Sequence, residues 1–272
     1  MHIGVGNMKI VFRVILFITV INVVHSSKVN AQNFDEEEQV RLDSLNGLIV
    51  ANYSHDTSVV NSYLELASMY YMQNVDTAIY FCEKSKTLSN KINFLYGQAE
   101  SNGWLGYLYD TKGELELALA HYETALLLHE KRGAKVGMAT NYNNIGFVYN
   151  SLGDIPLALD YFHKGLMINE KLGDKEAIAY NSINIGTIFY YQNDHKNALV
   201  YYEKSLKLLE EIVNVEAQAP CLNNDGLIYL NKDRTDKALG YFEKSLKIEE
   251  EMGNDVGVAT CYSNIGLVYI NK

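Results

Sequence analysis

The stretch "NNIGFVYNSLGDIPLALDYFHKGLMINEKLGD", residues 143–174, contains two helical patterns separated by one turn and closed by another. Ile145, Tyr149 and Leu152, with Tyr142 just upstream, recur at helical spacing and give the first pattern one apolar face. At Gly153–Asp154 the pattern breaks. Asp154 is suited to the N-cap of a second helix, and Pro156 falls in its first turn, where the missing N–H costs little. That helix turns Ala158, Phe162, Gly165 and Leu166 inward and ends at "LGD". There Gly173 can take a left-handed C-terminal cap and Asp174 can open the next helix. Gly146 and Ala158 carry almost no side chain, so the two helices can approach closely while aromatic rings wedge beside them.

The same pattern returns every 40 residues. Gly106, Gly146, Gly186, Gly226 and Gly266 stand at that spacing, as do Ala78, Ala118, Ala158, Ala198 and Ala238. "YYEKSLKLLEE" (201–211) and "YFEKSLKIEEE" (241–251) are nearly identical. A fixed period of this size is the mark of stacked supersecondary units, each lending its neighbours apolar cover. The first unit fits best if Ala67 replaces the glycine and its loop is one residue shorter. Residues 59–272 therefore read as five helix pairs plus the first helix of a sixth, "CYSNIGLVYINK" (261–272). In that last helix Ile265, Val268 and Tyr269 are expected to face the array, with Leu267 and Ile270 outside it, which reads as a truncated chain. Residues 32–58 are assigned to a capping helix, the acidic stretch Asp35–Ala51, and a linker.

The chain resembles the tetratricopeptide repeat. A glycine followed three residues later by an aromatic (Gly146, Tyr149), an alanine four before an aromatic (Ala158, Phe162) and a small residue three further on (Gly165) carry the resemblance. It covers residues 59–272, although the period exceeds the family's usual 34 and the family's final proline is absent. The implied fold is all-α, a right-handed superhelix of antiparallel helix pairs, and the implied activity is the holding of a protein or peptide segment in the concave face.

Composition narrows the function. Two prolines, 48% apolar residues and 21 tyrosines in 272 residues suit a packed helical chain. Residues 1–31 differ: "MKIVFRV" (8–14) is basic, "ILFITVINVV" (15–24) is apolar, and "HSSKVNA" (25–31) offers a small-residue cleavage site at Val29 and Ala31. The apolar run is short for a membrane span, so an exported, periplasmic protein that begins at Gln32 is expected. Cleavage removes Lys9, Arg13 and Lys28 and no acid, making the chain three charges more negative than its initial −10. Nucleic acid and an anionic membrane surface are poor partners for such a chain. Cys82, Cys221 and Cys261 are odd in number and sit inside helical patterns, as small core residues would.

On a helical wheel Asn144, Phe147 and Ser151 lie away from Ile145 and Tyr149. That column holds Asn144, Asn184, Asn224 and Asn264, with Trp104 in the second unit and Asn143 and Asn223 alongside. In similar repeats such asparagines pair with the backbone of an extended peptide, for which the amide's donor and acceptor are suited. Trp104, Tyr107, Phe147, Tyr190 and Tyr191 would add apolar contact. The same asparagines can instead bridge neighbouring helices as a structural ladder, and the sequence leaves both readings open. In the fifth unit Pro220 is expected to delay or bend its helix, and Asp225 replaces the isoleucine of "NIG", either as drift or as an acid that senses something.

No catalytic pattern emerges. His55, His121, His129, His163 and His195 are scattered over positions read as solvent-facing or loop, without metal-ligand spacing. Glu210–Glu211 and Glu249–Glu251 read as solvated charge. No cofactor and no metal is expected. The leading reading is a non-catalytic exported interaction module, with self-association through repeat edges as another partner. The alternative is the sensor part of a membrane histidine kinase, nucleotide cyclase or transcription regulator.

Overall fold

A computed structural model describes residues 36–51 and 56–270. The expected leader at residues 1–31 lies outside the described residues. Twelve helices and no strand occur among the described residues, and the fold class is all-α. Residues 36–168 form one compact unit and residues 169–270 another.

The first unit contains α1 (Glu36–Ala51), α2 (Thr57–Tyr70), α3 (Val75–Lys91), α4 (Leu95–Lys112), α5 (Leu115–Arg132), α6 (Lys135–Leu152) and most of α7 (Ile155–Leu172). The second contains the end of α7, then α8 (Lys175–Tyr191), α9 (His195–Glu211), α10 (Val215–Asn231), α11 (Thr235–Glu251) and α12 (Asp255–Ile270). In each unit consecutive helices pack on one another as antiparallel pairs, joined by turns of a few residues.

The turns recur at half the sequence period. Asn93, Gly113, Gly133, Gly153, Gly173, Asn193, Val213, Asp233 and Gly253 stand 20 residues apart, all with φ between 54° and 83°. At such a turn two amides fold back onto the helix end: Gly153 N–H donates to the Asn150 carbonyl (3.2 Å) and Asp154 N–H to that of Tyr149 (2.9 Å). Glycine takes this left-handed conformation freely, whereas the β-branched Val213 is strained in it at φ 57°. The first turn is shorter: Asn74 N–H reaches the Tyr70 carbonyl (2.7 Å) without a left-handed residue. Caps then restart the helices, Asp154 accepting from Leu157 N–H (3.2 Å) and Asp174 from Ala177 N–H (3.0 Å).

Four of the five pairs close on an aromatic ring laid against a glycine. A Cβ added to Gly106 would stand 2.6 Å from the Tyr122 ring, at Gly146 3.0 Å from Phe162, at Gly186 2.8 Å from Tyr202, and at Gly226 2.5 Å from Phe242. Tyr122, Phe162, Tyr202, Phe242 and the five periodic alanines are buried. Ala67 takes the glycine's place in the first pair, packing with Ala78 and Cys82. α1 covers the start of the first unit, with Leu45 and Ile49 on Val59 and Leu66.

A polar seam accompanies the apolar one. Ser101 Oγ donates to Ser85 Oγ (2.8 Å), Cys221 Sγ meets Ser205 Oγ (3.5 Å) and Cys261 Sγ donates to Ser245 Oγ (3.4 Å), each pair 16 residues apart. The three cysteines are buried and free, and burial pushes the Cys221 thiol up to about 12.

Several positions differ from the sequence reading. α10 begins on schedule at Val215 with Pro220 inside it. Pro220 is the sixth residue, so it forfeits only the bond to the Glu216 carbonyl. His129 is buried, not solvent-facing, and lies against Gly137, which has no side chain to exclude it. Burial holds its imidazole down at about 4, with Arg132 adding to the effect. Glu249 is likewise buried over Gly257, where it accepts from Asn254 Nδ2 (2.7 Å), and is not part of a solvated charge run. In α12 Val268 is buried as expected, but Tyr269 is exposed. Leu152, at the end of the apolar face of α6, is also exposed.

Asp225 is fully buried, and neither carboxylate oxygen has a hydrogen-bond partner. Burial, reinforced by repulsion from Glu203, raises its carboxyl to about 7. The unfolded chain ionises near 4 while the folded chain resists until about 7. Stability therefore falls as pH rises through that window and levels off above it, by about 4 kcal/mol in all.

Two measurements follow from this packing. Gly226→Ala drives a methyl into the Phe242 ring and is expected to lower unfolding free energy by about 1–3 kcal/mol. Gly266→Ala, with nothing within 4 Å of the added atom, leaves it within about 0.5 kcal/mol. Asp225→Ile restores the residue found at Ile145, Ile185 and Ile265, and urea unfolding should show a gain on the order of 4 kcal/mol at pH 8. The gain is smaller at pH 4.5; an equal gain at both pH values contradicts a neutral buried acid.

Candidate functional site

The expected groove residues all lie on the first helices of the pairs, and each unit holds its own set. In the first unit Trp104 and Tyr107 on α4 meet Tyr71, the residue that follows α2. The ring centroids are 5.8 Å apart for Tyr71–Trp104, 6.0 Å for Tyr71–Tyr107 and 6.1 Å for Trp104–Tyr107. All three rings are half-buried. Tyr71 was not singled out by the sequence, although it stands three 40-residue periods before Tyr191. Asn143 on α6 is buried and Asn144 half-buried. Phe147 packs edge-on against Phe162 at 5.0 Å, so part of its ring serves the helix pair itself.

In the second unit the asparagine column is buried more deeply than an open groove requires. Asn184 is 4% exposed, and Asn224 and Asn264 are each 9% exposed. Asn264 Nδ2 donates to Asn223 Oδ1 (2.8 Å), a bridge from α12 to α10 of the ladder kind. The amide nitrogens of Asn184 and Asn224 are buried with no acceptor in the protein. A buried N–H₂ group without a partner is costly to the fold. The column thus divides into a bridge at one end and two unsatisfied donors before it.

Tyr190 and Tyr191 stand at the end of α8. Their rings meet edge-on at 5.5 Å, and Tyr190 also lies 5.6 Å from the His195 ring. The Tyr190 hydroxyl accepts from Asn231 Nδ2 (3.4 Å), while Tyr191 is exposed. Nearby, Tyr202 Oη donates to Thr187 Oγ1 (3.0 Å), tying the second helix of the pair to the residue that follows Gly186.

Other asparagines, which the wheel did not pick out, serve the scaffold. Asn141 Nδ2 donates to the Gly137 carbonyl (2.8 Å), and Asn169 Nδ2 to Asn181 Oδ1 (2.7 Å). Asn102 donates to the Gln98 carbonyl (2.8 Å) and its Oδ1 meets His121 Nδ1 (2.9 Å), with the His121 ring stacked on Tyr109 at 5.5 Å. Their i−4 carbonyls and their neighbouring helices were invisible to a count of asparagines by column. A shallow depression of about 460 Å³ lined by Asp174, Lys175, Glu176, Ile212 and Asn214 also occurs in the second unit. Its polar groups engage one another, Lys175 with Glu211 (2.9 Å) and Asn214 with Glu176 (2.9 Å).

Among the described residues no group of three or more His, Cys, Asp or Glu is placed to hold a metal ion. No helix of the described residues is long and apolar enough to cross a membrane.

Family-level comparison matches residues 137–211, and separately residues 99–131 and 219–252, to the tetratricopeptide repeat; together these are more than half of the chain. No curated protein matches the sequence. Solved structures with similar folds include BtubC (BKLC) from P. vanneervenii, 18% identical with a TM-score of 0.67, over 79% of this chain and 89% of that one. A signal transduction ATPase with numerous domains and a tetratricopeptide repeat sensor, from Pyrococcus horikoshii, is 17% identical with a TM-score of 0.72. The match covers 97% of this chain and 39% of that one. A Rap protein complexed with competence and sporulation factor is 15% identical with a TM-score of 0.68, over 100% of this chain and 75% of that one. At these identities the likeness is one of fold.

Proposed function

Because the chain belongs to the tetratricopeptide repeat proteins, we propose that it is an exported, non-catalytic module that holds an extended peptide or protein segment against the first helices of its pairs. The observation that carries this reading is the pair of buried, acceptor-free amide nitrogens of Asn184 and Asn224. Backbone carbonyls of an extended segment are acceptors of the right kind, and they are present whatever the segment's side chains. Half-buried aromatic rings at Trp104 and Tyr107, and the exposed ring of Tyr191, supply apolar contact for side chains. The Rap protein seen with competence and sporulation factor, similar in fold, lends support to a ligand-holding role.

A sensory use of the same face is the second part of this proposal. It is supported by the leader-like first 31 residues and by the fold's likeness to an ATPase whose repeats are described as a sensor. In that use the repeats report occupancy to an output that this segment does not itself contain. The net charge of −10 argues against nucleic acid as the ligand.

Asn184→Ala with Asn224→Ala separates the groove from the ladder. Removing two donors is expected to weaken binding to an array of unbiased short peptides by about tenfold or more, with melting essentially unchanged. A large fall in melting with array binding retained assigns these asparagines to the scaffold instead. Export is tested by mass spectrometry of the protein recovered from its native host, which is expected to begin at Gln32; a chain that retains residues 1–31 in the cytoplasm contradicts it.

A further inference from the structure

Three features that weaken a helix pair meet between Val213 and Asp225. Val213, in the turn before α10, holds φ at 57°, a region costly for a β-branched side chain; the matching turns carry glycine, asparagine or aspartate. Pro220 lies inside α10, where it donates no ladder bond and its ring crowds the Glu216 carbonyl. Asp225 follows on the same helix, fully buried, with no hydrogen-bond partner for either carboxylate oxygen. At the equivalent places Leu105, Ile145 and Ile185 are fully buried apolar side chains.

Among the described residues, the titratable groups around Asp225 are Glu203 and Tyr202 on α9, Tyr241 on α11 and Cys221 one turn earlier on α10. None of them is a cation. From α12 the group turned to α10 is the amide of Asn264, bonded to Asn223 (2.8 Å). The closed helix therefore keeps the proton on Asp225, whereas water ionises the same carboxyl once α10 has moved. Opening then releases a proton, so rising pH draws it forward between about 4, the ordinary value, and about 7, the buried one. The charge acts on a helix already short of one ladder bond and entered through a strained turn.

We propose that α10 is a pH-gated element of the second unit, closed while Asp225 is neutral and opening locally when Asp225 ionises. Opening uncovers Cys221, fully buried in the closed helix, and displaces Asn223 and Asn224 together. The gate operates whether or not a peptide occupies those asparagines.

Hydrogen exchange of the full chain, read by mass spectrometry and corrected for the intrinsic pH dependence of amide exchange, gives the opening constant of each helix. For α10 that constant is expected to rise on the order of 100-fold between pH 5 and pH 8, most of it below pH 7. For α4 in the first unit it should stay lower and change by less than about threefold. Asp225→Asn, neutral at every pH, should hold the α10 constant flat. Asp225→Ile, which fills the place as Ile185 does, should make it both flat and lower, and circular dichroism checks that each variant keeps wild-type helicity. Iodoacetamide supplies a second readout: at pH 8 Cys221 should be alkylated at least about tenfold faster than Cys82, equally buried in the first unit, and Asp225→Asn should slow Cys221 alone. The gate is overturned by an α10 constant that does not change with pH, or by α4 and α10 rising together as one unfolding event. A rise that persists in the folded Asp225 variants, or equal alkylation of Cys221 and Cys82, overturns it as well.

Discussion

The close approach of an aromatic ring to a bare α-carbon governs this structure. At Gly106, Gly146, Gly186 and Gly226 the ring of Tyr122, Phe162, Tyr202 or Phe242 occupies the volume that any side chain would need. Two helices joined by a short turn can then lie close enough for a single ring to fill the gap between them, and the neighbouring alanines keep the rest of the seam narrow. Because four pairs make the same contact, pairs within a unit present similar outer faces to one another. A solenoid is built by that equivalence, each pair covering apolar surface that its neighbour leaves open. Loss of one glycine would therefore disturb a pair and the two faces it shares.

The seam also decides what the remaining positions are free to do. With the apolar load carried by glycine, alanine and one ring, the first helix of each pair has room for polar residues at moderate depth. Serine and cysteine use it for the links between Ser101 and Ser85, Cys221 and Ser205, and Cys261 and Ser245. Asparagine uses it in two ways. Asn141, Asn169 and Asn264 spend their amides inside the protein, whereas Asn184 and Asn224 retain donors with no internal acceptor. Asp225 shows the opposite outcome, a buried acid with no hydrogen-bond partner, held neutral by its surroundings up to about pH 7 at a cost in stability that accumulates as pH rises from about 4 to 7.

The two units concentrate different chemistry. The first carries the Tyr71, Trp104 and Tyr107 triangle, an apolar and polarisable surface. The second carries the deep asparagine column and the exposed Tyr191.

Much of this was legible in the chain itself. Local capping rules and a 40-residue recurrence of small and aromatic residues specify the helix pairs, because helix ends and close packing depend on residues near in sequence. Gly173 adopts the left-handed cap and Ala67 replaces the first glycine, as the pattern required. The depth of each polar residue was not legible, because it depends on which neighbouring helix closes over it. His129 and Glu249 read as solvent-facing, yet they are buried over the side-chain-free Gly137 and Gly257 of the following helix. Likewise a wheel could place Asn184 and Asn264 in one column but could not say that Asn223 would accept from the amide nitrogen of Asn264 while that of Asn184 finds no acceptor. Periodicity along one helix fixes direction; only the packed neighbour, distant in sequence, fixes burial and partners.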